Sequence, residues 1–408
     1  MSANARSGIV LVVDRLGAGY LGPYGNTWIE TPHFNRLGAE SMLFEFVLAD
    51  SPRLPTLYRS YWTGAHAMAE APGTGGVPDL LASTAIHTVL VTDDTEVSEM
   101  DGAECFDERI LVGQEPVARA VQEPGQTQMA RLFAAAVDWL EQAPQPFLLW
   151  IHSRGMAGPW DAPSEFRNRF ADEDDPLPPA EVEPPVRRLQ TGYDPDEVLG
   201  WQHAYAGQIT VLDLCLGVLL DAVKSSAGRD DTLLMVTSPR GYPLGEHGRI
   251  GTRDELLYGE LLHVPWFVRF PGGAAATVRC PQLVQPPDMF ASVLDWLGME
   301  MEGTGTWGTS VLRAADGELG AVRDRAAACA DGCRALRTPA WFLLRHPDSR
   351  RELFAKPDDR WEANEVADRC QETVEELDRL LDEFQHAVQA ADPARLTPLS
   401  ETLLRGLD

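Results

Sequence analysis

The fold of this chain is decided near its N-terminus by the stretch Gly8-Ile9-Val10-Leu11-Val12-Val13-Asp14. Its unbroken apolar run is typical of a strand buried on both faces, and such strands belong to parallel sheets. The run ends in an acid, and parallel α/β sheets bind ligands outside the carboxyl ends of their strands. The stretch therefore predicts an α/β fold with Asp14 at the functional edge.

Further along the chain, short apolar runs alternate with helical patterns. The runs cover 87–92, 147–151 and 232–237, and the clearest helical pattern is Met129, Leu132, Phe133, Ala136, Val137 and Leu140. This alternation predicts βαβ units and a parallel sheet covered on both faces. Asp14, His152 and Arg240 follow three of the predicted strands, so we expect them at one edge of the sheet.

Several motifs follow the first strand in order. They are Pro23-Tyr24-Gly25-Asn26, Thr31-Pro32-His33-Phe34-Asn35-Arg36-Leu37, Tyr205-Ala206 with Asp213 and Gly217, and the segments 260–271, 337–345 and 352–354. Together they resemble the sulfatase family of the alkaline-phosphatase superfamily. The resemblance implies a central, mostly parallel sheet flanked by helices, with a smaller C-terminal α+β domain. We predict a sulfatase-like domain over 1–310 and a domain of short strands and an amphipathic helix over 311–408.

The resemblance also locates the positions that hold the family's divalent cation. The first strand of the family ends in two adjacent acids, whereas this chain has Asp14-Arg15. The second metal pair is Asp-His or Asp-Asn, and its counterpart here is Pro239-Arg240. Proline has no side-chain oxygen and a guanidinium cannot ligate a cation. We therefore expect no metal at these former metal-site positions.

The nucleophile position is altered as well. In the family, Cys or Ser, modified to formylglycine, opens Cys-x-Pro-x-Arg before a Thr-Gly, and counting back from Thr63-Gly64 puts Leu54 in that position. A leucine side chain cannot attack sulfur or phosphorus. Thr56 is the nearest hydroxyl, and a cap or turn role competes with a nucleophile role for it. We expect both family cofactors, calcium and formylglycine, to be lost.

Other functional positions differ too. The family's Gly-Lys, whose lysine binds sulfate, resembles Thr92-Asp93, and its Pro-His, which supplies the leaving-group acid, resembles Met156-Ala157. His152 is a weak catalytic candidate, for which a structural role competes. Glu246 and His247 lie in a glycine-flanked loop and are expected to anchor it.

Three arginines are candidates for anion binding: Arg15, Arg59 and Arg240. Arg15 and Arg240 could instead pair with Asp14 and replace the ion's structural role, which is the favoured interpretation.

Composition limits the remaining possibilities. The chain has 408 residues, is 44% hydrophobic and carries a formal net charge of -28, which disfavours nucleic acid and anionic membrane surfaces as partners. No apolar run is expected to reach the roughly 20 residues that cross a bilayer, and no N-terminal signal pattern is visible. We predict an acidic, cytoplasmic protein whose six scattered cysteines are reduced.

The sequence therefore predicts a sulfatase-like pseudoenzyme without hydrolase activity. It would serve as a binding or structural protein, with an unknown protein partner or a small anion as ligand. An active sulfuric-ester or phosphoric-ester hydrolase with a rearranged site is the alternative, and a metal-independent module that binds anions through its arginines is the third interpretation.

Overall fold

The computed structural model describes residues 6–70, 75–115, 117–225, 231–251, 256–301, 304–316 and 322–406. The strands are β1 Ser7–Val13, β2 Met42–Val47, β3 His87–Thr92, β4 Glu108–Leu111, β5 Phe147–Ser153, β6 Arg187–Arg188, β7 Thr232–Thr237, β8 Arg249–Ile250, β9 Trp266–Arg269, β10 Arg279–Val284, β11 Ala326–Ala330, β12 Cys333–Arg337, β13 Trp341–Arg345 and β14 Arg351–Ala355. The helices are α1 Pro32–Glu40, α2 Leu54–Thr63, α3 Val77–Leu81, α4 Thr95–Ser98, α5 Gln128–Gln142, α6 Ser164–Asn168, α7 Pro195–Ser225, α8 Gly259–Leu262, α9 Pro287–Trp296, α10 Gln371–Gln389 and α11 Glu401–Arg405.

The chain divides into two compact units built from discontinuous segments. Unit 1 comprises Met1–Leu43, Leu81–Thr252 and Pro265–Arg279, and unit 2 comprises Phe44–Leu80, Arg253–Val264 and Cys280–Asp408. The predicted domain boundary near residue 310 divides the chain at one position, whereas these units are discontinuous, and it stays a prediction.

Unit 1 contains the sheet that the first stretch predicts. Six strands lie in the order β9-β7-β1-β5-β3-β4. Strand β1 runs parallel to β5 and β7, β3 runs parallel to β4 and β5, and only β9 is antiparallel to its neighbour here. Val12, His152 and Thr92 are level across β1, β5 and β3. The carboxyl ends of these strands therefore meet at one edge.

The helices of unit 1 pack on this sheet through a shared apolar core. Side chains of β1 such as Ile9, Leu11 and Val13 join buried residues of α1, α5 and α7 in one cluster. Helix α5 begins at a capped end, because the Thr127 side chain accepts a hydrogen bond from the Ala130 amide at 3.1 Å. The predicted α/β fold with a mostly parallel sheet flanked by helices is confirmed.

Helix α7 is more apolar over its length than the sequence analysis expected of any segment. By length and composition it is the single described helix that could cross a bilayer, although 78% of its most apolar window is buried within the fold. The sequence expectation overlooked it because scattered polar residues interrupt the run. Its apolar character follows from its position in the core of unit 1, where Tyr205, Leu212 and Leu216 are buried.

Unit 2 contains a smaller, antiparallel sheet. Its strands lie in the order β11-β12-β13-β14, joined by hairpins. Helix α10 covers one face with Leu377, Leu380, Leu381 and Phe384, which belong to one apolar cluster with side chains of β13 and β14. These side chains form the apolar face of the amphipathic helix that the sequence predicts for the C-terminal domain. The short α11 follows α10.

Candidate functional site

A buried ion pair lies at the carboxyl edge of the unit 1 sheet. Arg240 donates two hydrogen bonds to the Asp14 carboxylate, from Nε to Oδ1 at 3.0 Å and from Nη2 to Oδ2 at 3.1 Å. Asp14 is 1% exposed and Arg240 is 6% exposed. Burial alone would raise the pKa of Asp14, but the guanidinium groups of Arg240 and Arg15 outweigh it and lower that pKa. The carboxylate is therefore charged, and each of its oxygens holds an arginine N–H.

Arg15 completes this cluster from the next position in the chain. Its Nε lies 4.0 Å from Asp14 Oδ2, and its guanidinium lies 6.0 Å from the centre of the Tyr242 ring. Its backbone φ is 63°, in the left-handed region that residues other than glycine rarely adopt. Tyr205 Oη donates a hydrogen bond to the Arg15 carbonyl at 2.8 Å. The fold thus holds Arg15 in a strained conformation beside Asp14.

The loop after β7 is fixed by its own hydrogen bonds. Ser238 Oγ donates to the Arg240 carbonyl at 2.7 Å and accepts from the Leu16 amide at 3.1 Å, which ties this loop to the loop after β1. Glu246 Oε2 accepts from the Leu244 amide at 2.5 Å, and His247 is exposed. Glu246 therefore holds a backbone amide of its own loop, and Pro239 has no side-chain oxygen.

The ends of β3 and β5 add a second charged group to the same edge. His152 lies within β5, fully buried, and its Nε2 is 3.8 Å from Asp94 Oδ2. Asp93 Oδ1 accepts a hydrogen bond from the Arg154 amide at 2.8 Å. Burial raises the pKa of Asp93 to about 6, against the effect of that amide. Burial would also raise the pKa of Asp94, but His152 reverses the direction and lowers it.

The remaining predicted residues belong to unit 2 and lie on α2. Leu54 is the first residue of the helix and is 2% exposed. Thr56 lies in the first turn and is half-buried, and its hydroxyl does not cap the helix. Arg59 donates through Nη2 to the carbonyls of His66 at 3.4 Å and Ala67 at 3.1 Å. Arg59 is therefore used to hold the turn that follows α2.

The sulfatase family model matches residues 7–299 of this chain. This range contains the sheet of unit 1 and every candidate residue named above. The chain belongs to the sulfatase family.

Curated relatives and solved structures agree with this membership. N-acetylglucosamine-6-O-sulfatase of Bacteroides thetaiotaomicron is 28% identical over 97 residues, which are 24% of this chain and 17% of that protein. The multifunctional alkaline phosphatase superfamily protein PehA of Trinickia caryophylli is 29% identical over 111 residues, 26% of this chain and 21% of that protein. The chain thus spans about a fifth of the length of the curated relatives it matches.

Among solved structures, phosphonate monoester hydrolase of Agrobacterium radiobacter superposes with a TM-score of 0.75 at 16% identity, covering 97% of this chain and 98% of that one. At this identity the similarity concerns the fold.

In this sulfatase-family chain, sequence reasoning located part of the charged edge and missed the rest. The sequence predicted that Asp14, Arg15 and Arg240 lie close together, and the structure contains the Asp14–Arg240 pair. The sequence placed His152 after its strand, whereas the residue lies within β5 and its ring is buried beside Asp94. Asp94 was missed, although the tandem acids that follow β3 repeat the signal given by Asp14 after β1.

Proposed function

We propose that this sulfatase-family protein has no ester hydrolase activity and serves a binding or structural role. The observation that carries the proposal is the two-bond pair between Arg240 and Asp14. A carboxylate whose two oxygens both accept from a buried guanidinium has its strongest acceptor positions occupied. The side chain that would ligate a cation is instead neutralised by the protein itself.

The residues present do not fit a divalent cation at this edge. Calcium takes six to eight oxygen ligands, and Asp14 is the single acid among the positions that correspond to the family's ligands. Arg15 and Arg240 bring two positive charges against one negative charge, and Pro239 brings no side-chain oxygen. An entering cation would have to displace Arg240 and remain beside the guanidinium groups of Arg15 and Arg240, so electrostatic repulsion opposes it.

The nucleophile and the proton donor of a sulfatase also have no counterparts at the matched positions. Formylglycine is made from Cys or Ser, and Leu54 is neither. Thr56 carries a hydroxyl, but no described histidine or carboxylate hydrogen bonds to it to activate it. Ala157, at the position of the family's leaving-group histidine, has no titratable side chain. We infer that removal of the cation went together with loss of the covalent chemistry.

The same charges bear on whether the former pocket holds an anion. Arg240 is used by Asp14, and Asp93 brings a buried carboxyl where the family has a sulfate-binding lysine. An oxyanion at this edge would therefore meet carboxylates as well as arginines. A structural role for the edge, in which the ion pair replaces the metal, is better supported than anion binding there.

The experiment is metal analysis of the purified protein by elemental mass spectrometry, with hydrolysis assays on an aryl sulfate and an aryl phosphate, with and without added calcium. We expect no stoichiometric metal and no turnover above the buffer rate. Arg240→Gln, assayed in parallel, shows whether any residual rate belongs to this site, because contaminating hydrolase activity would not respond to it. Stoichiometric metal together with turnover that this variant changes would overturn the proposal.

A further inference from the structure

We propose that a cleft in unit 2 binds a small oxyanion, such as a phosphate or sulfate group, with Arg334 as the principal cation. The cleft measures about 260 Å³ and lies between the start of α2 and the hairpin of β11 and β12. Its polar and charged lining residues, apart from two cysteines, are Ser51, Arg53, Thr56, Asp331, Arg334 and Gln385. The proposal does not rest on the absence of hydrolase activity, since none of its residues belongs to the edge of the unit 1 sheet.

The decisive feature is that three donor side chains lining this cleft have no bonded partner among the described residues, whereas Arg53 is paired with Asp331. Arg334 is half-buried on β12, and its guanidinium forms no hydrogen bond or ion pair with the part of the chain that the structure describes. The same holds for the side chains of Thr56 on α2 and Gln385 on α10. A guanidinium, an amide and a hydroxyl that converge on one cavity are the groups that recognise oxyanions.

The charge of the cleft also favours an anion. Arg53 and Arg334 contribute two positive charges, and Asp331, which is bound to Arg53, contributes the one carboxylate of the lining. Two thiols complete the wall. Burial raises the pKa of Cys329 to about 12 and that of Cys333 to about 11, so both are neutral near pH 7. The net charge of the lining is therefore positive in a protein whose formal charge is -28.

The structure also separates this cleft from the other arginines. Arg240 is held by Asp14, and Arg59 is held by the carbonyls of His66 and Ala67. Arg334, by contrast, makes no hydrogen bond or ion pair with the described residues, although its charge acts on Asp382 of α10. The volume suits an oxyanion or a small ester that carries one, and falls short of the 300–1,000 Å³ or so that holds drug-sized ligands.

The test is isothermal titration with inorganic phosphate and inorganic sulfate at constant ionic strength, with potassium chloride as the reference salt. Methyl phosphate and methyl sulfate form a second arm, which distinguishes a free ion from an ester-borne group. Arg334→Ala should weaken binding roughly tenfold or more, because the lost hydrogen bonds are charge-assisted. Thr56→Val and Gln385→Ala should each weaken it by a smaller factor.

Arg188→Ala is the matched control, because Arg188 is an exposed strand arginine whose side chain has no bonded partner in the described ranges. It should bind both anions as the parent protein does, and so should Arg15→Gln. Circular dichroism checks that each variant is folded. Absence of saturable binding in the parent protein, or undiminished binding in Arg334→Ala, would overturn the assignment. Loss of binding in Arg15→Gln alone would place the anion at the unit 1 edge and also overturn it.

Discussion

The strongest prediction concerns the buried pair at the edge of the unit 1 sheet. Replacing Arg240 by Gln removes one charge and leaves Asp14, which is 1% exposed, without its two charge-assisted hydrogen bonds. Two unit charges about 4 Å apart at an effective dielectric constant of about 20 attract by about 4 kcal/mol. Breaking a buried pair from one side costs roughly 3–5 kcal/mol in other proteins. We expect Arg240→Gln to lower the free energy of unfolding by about 4 kcal/mol.

Asp14→Asn leaves the Arg240 guanidinium without its paired carboxylate and should lower the free energy of unfolding by a similar amount. The double variant removes both charges and leaves two polar groups that can bond each other, so it should cost far less than the sum of the single variants. Arg169→Gln is the surface control: its partner is Glu30 at 2.9 Å and both side chains are about half exposed or more. That change should cost roughly 0–1 kcal/mol.

The assay is urea unfolding followed by intrinsic tryptophan fluorescence, applied to all four variants and the parent protein. The difference between the double variant and the sum of the single ones gives the coupling energy directly. If Arg240→Gln lies within about 0.5 kcal/mol of the parent, or if the cycle is additive, the pair does not stabilise this edge. The reasoning that Arg240 replaces a metal would then be refuted.

Four further predictions concern protonation, backbone strain, packing and metal dependence. Folding raises the pKa of Asp93 from 3.8 to about 6, so the folded state binds the proton more tightly and stability falls as pH rises through that window. Asp93→Asn should therefore raise the free energy of unfolding by up to about 3 kcal/mol near pH 7 and change it little near pH 4, and urea titrations at both pH values test this. Arg15 has φ 63°, so Arg15→Gly should be about 1–2 kcal/mol more stable than Arg15→Ala in urea unfolding, and equal stabilities would contradict the strain. A Cβ on Gly207 would lie 2.8 Å from the Arg167 backbone nitrogen, so Gly207→Ala should cost about 1–3 kcal/mol while Gly113→Ala, which meets open space, should not. Neither EDTA nor added calcium should move the melting temperature by more than about 1 °C, because we expect no cation to bind. A cation bound to the native state would raise the melting temperature.

The parts of this fold that sequence predicts are those fixed by local patterns. The predicted runs 87–92 and 232–237 coincide with β3 and β7, because an apolar run between polar segments has few alternatives to a buried strand. The Asp14–Arg240 pair could also be predicted from the sequence, because the carboxyl ends of neighbouring parallel strands lie at one edge of the sheet.

The missed features depend on tertiary packing. Arg53 and Arg334 are far apart in the chain, and only the packing of α2 near the hairpin of β11 and β12 brings them to one cleft. The strain at Arg15 was also invisible, because positive φ is signalled by glycine and Arg15 is not glycine. The burial of His152 depends on how its face of the sheet is covered, which a strand pattern does not specify.

The strand ends of unit 1 bring groups of opposite charge to one edge. In the sheet order β7, β1, β5 and β3, the strand ends supply Arg240, Asp14, His152 and the pair Asp93 and Asp94. Arg240 lies against Asp14, and His152 lies against Asp94. Each charged group at the edge thus has an opposite or polar neighbour within the same unit.

A covalently attached guanidinium stabilises Asp14 at any concentration of free cation, whereas a bound metal stabilises a fold only as far as its concentration exceeds its dissociation constant. The Arg240 guanidinium is engaged by Asp14 through two hydrogen bonds, so it is less available to an oxyanion than an arginine without such a partner. If the protein binds an oxyanion, the proposed site is the unit 2 cleft, where the Arg334 guanidinium has no bonded partner among the described residues.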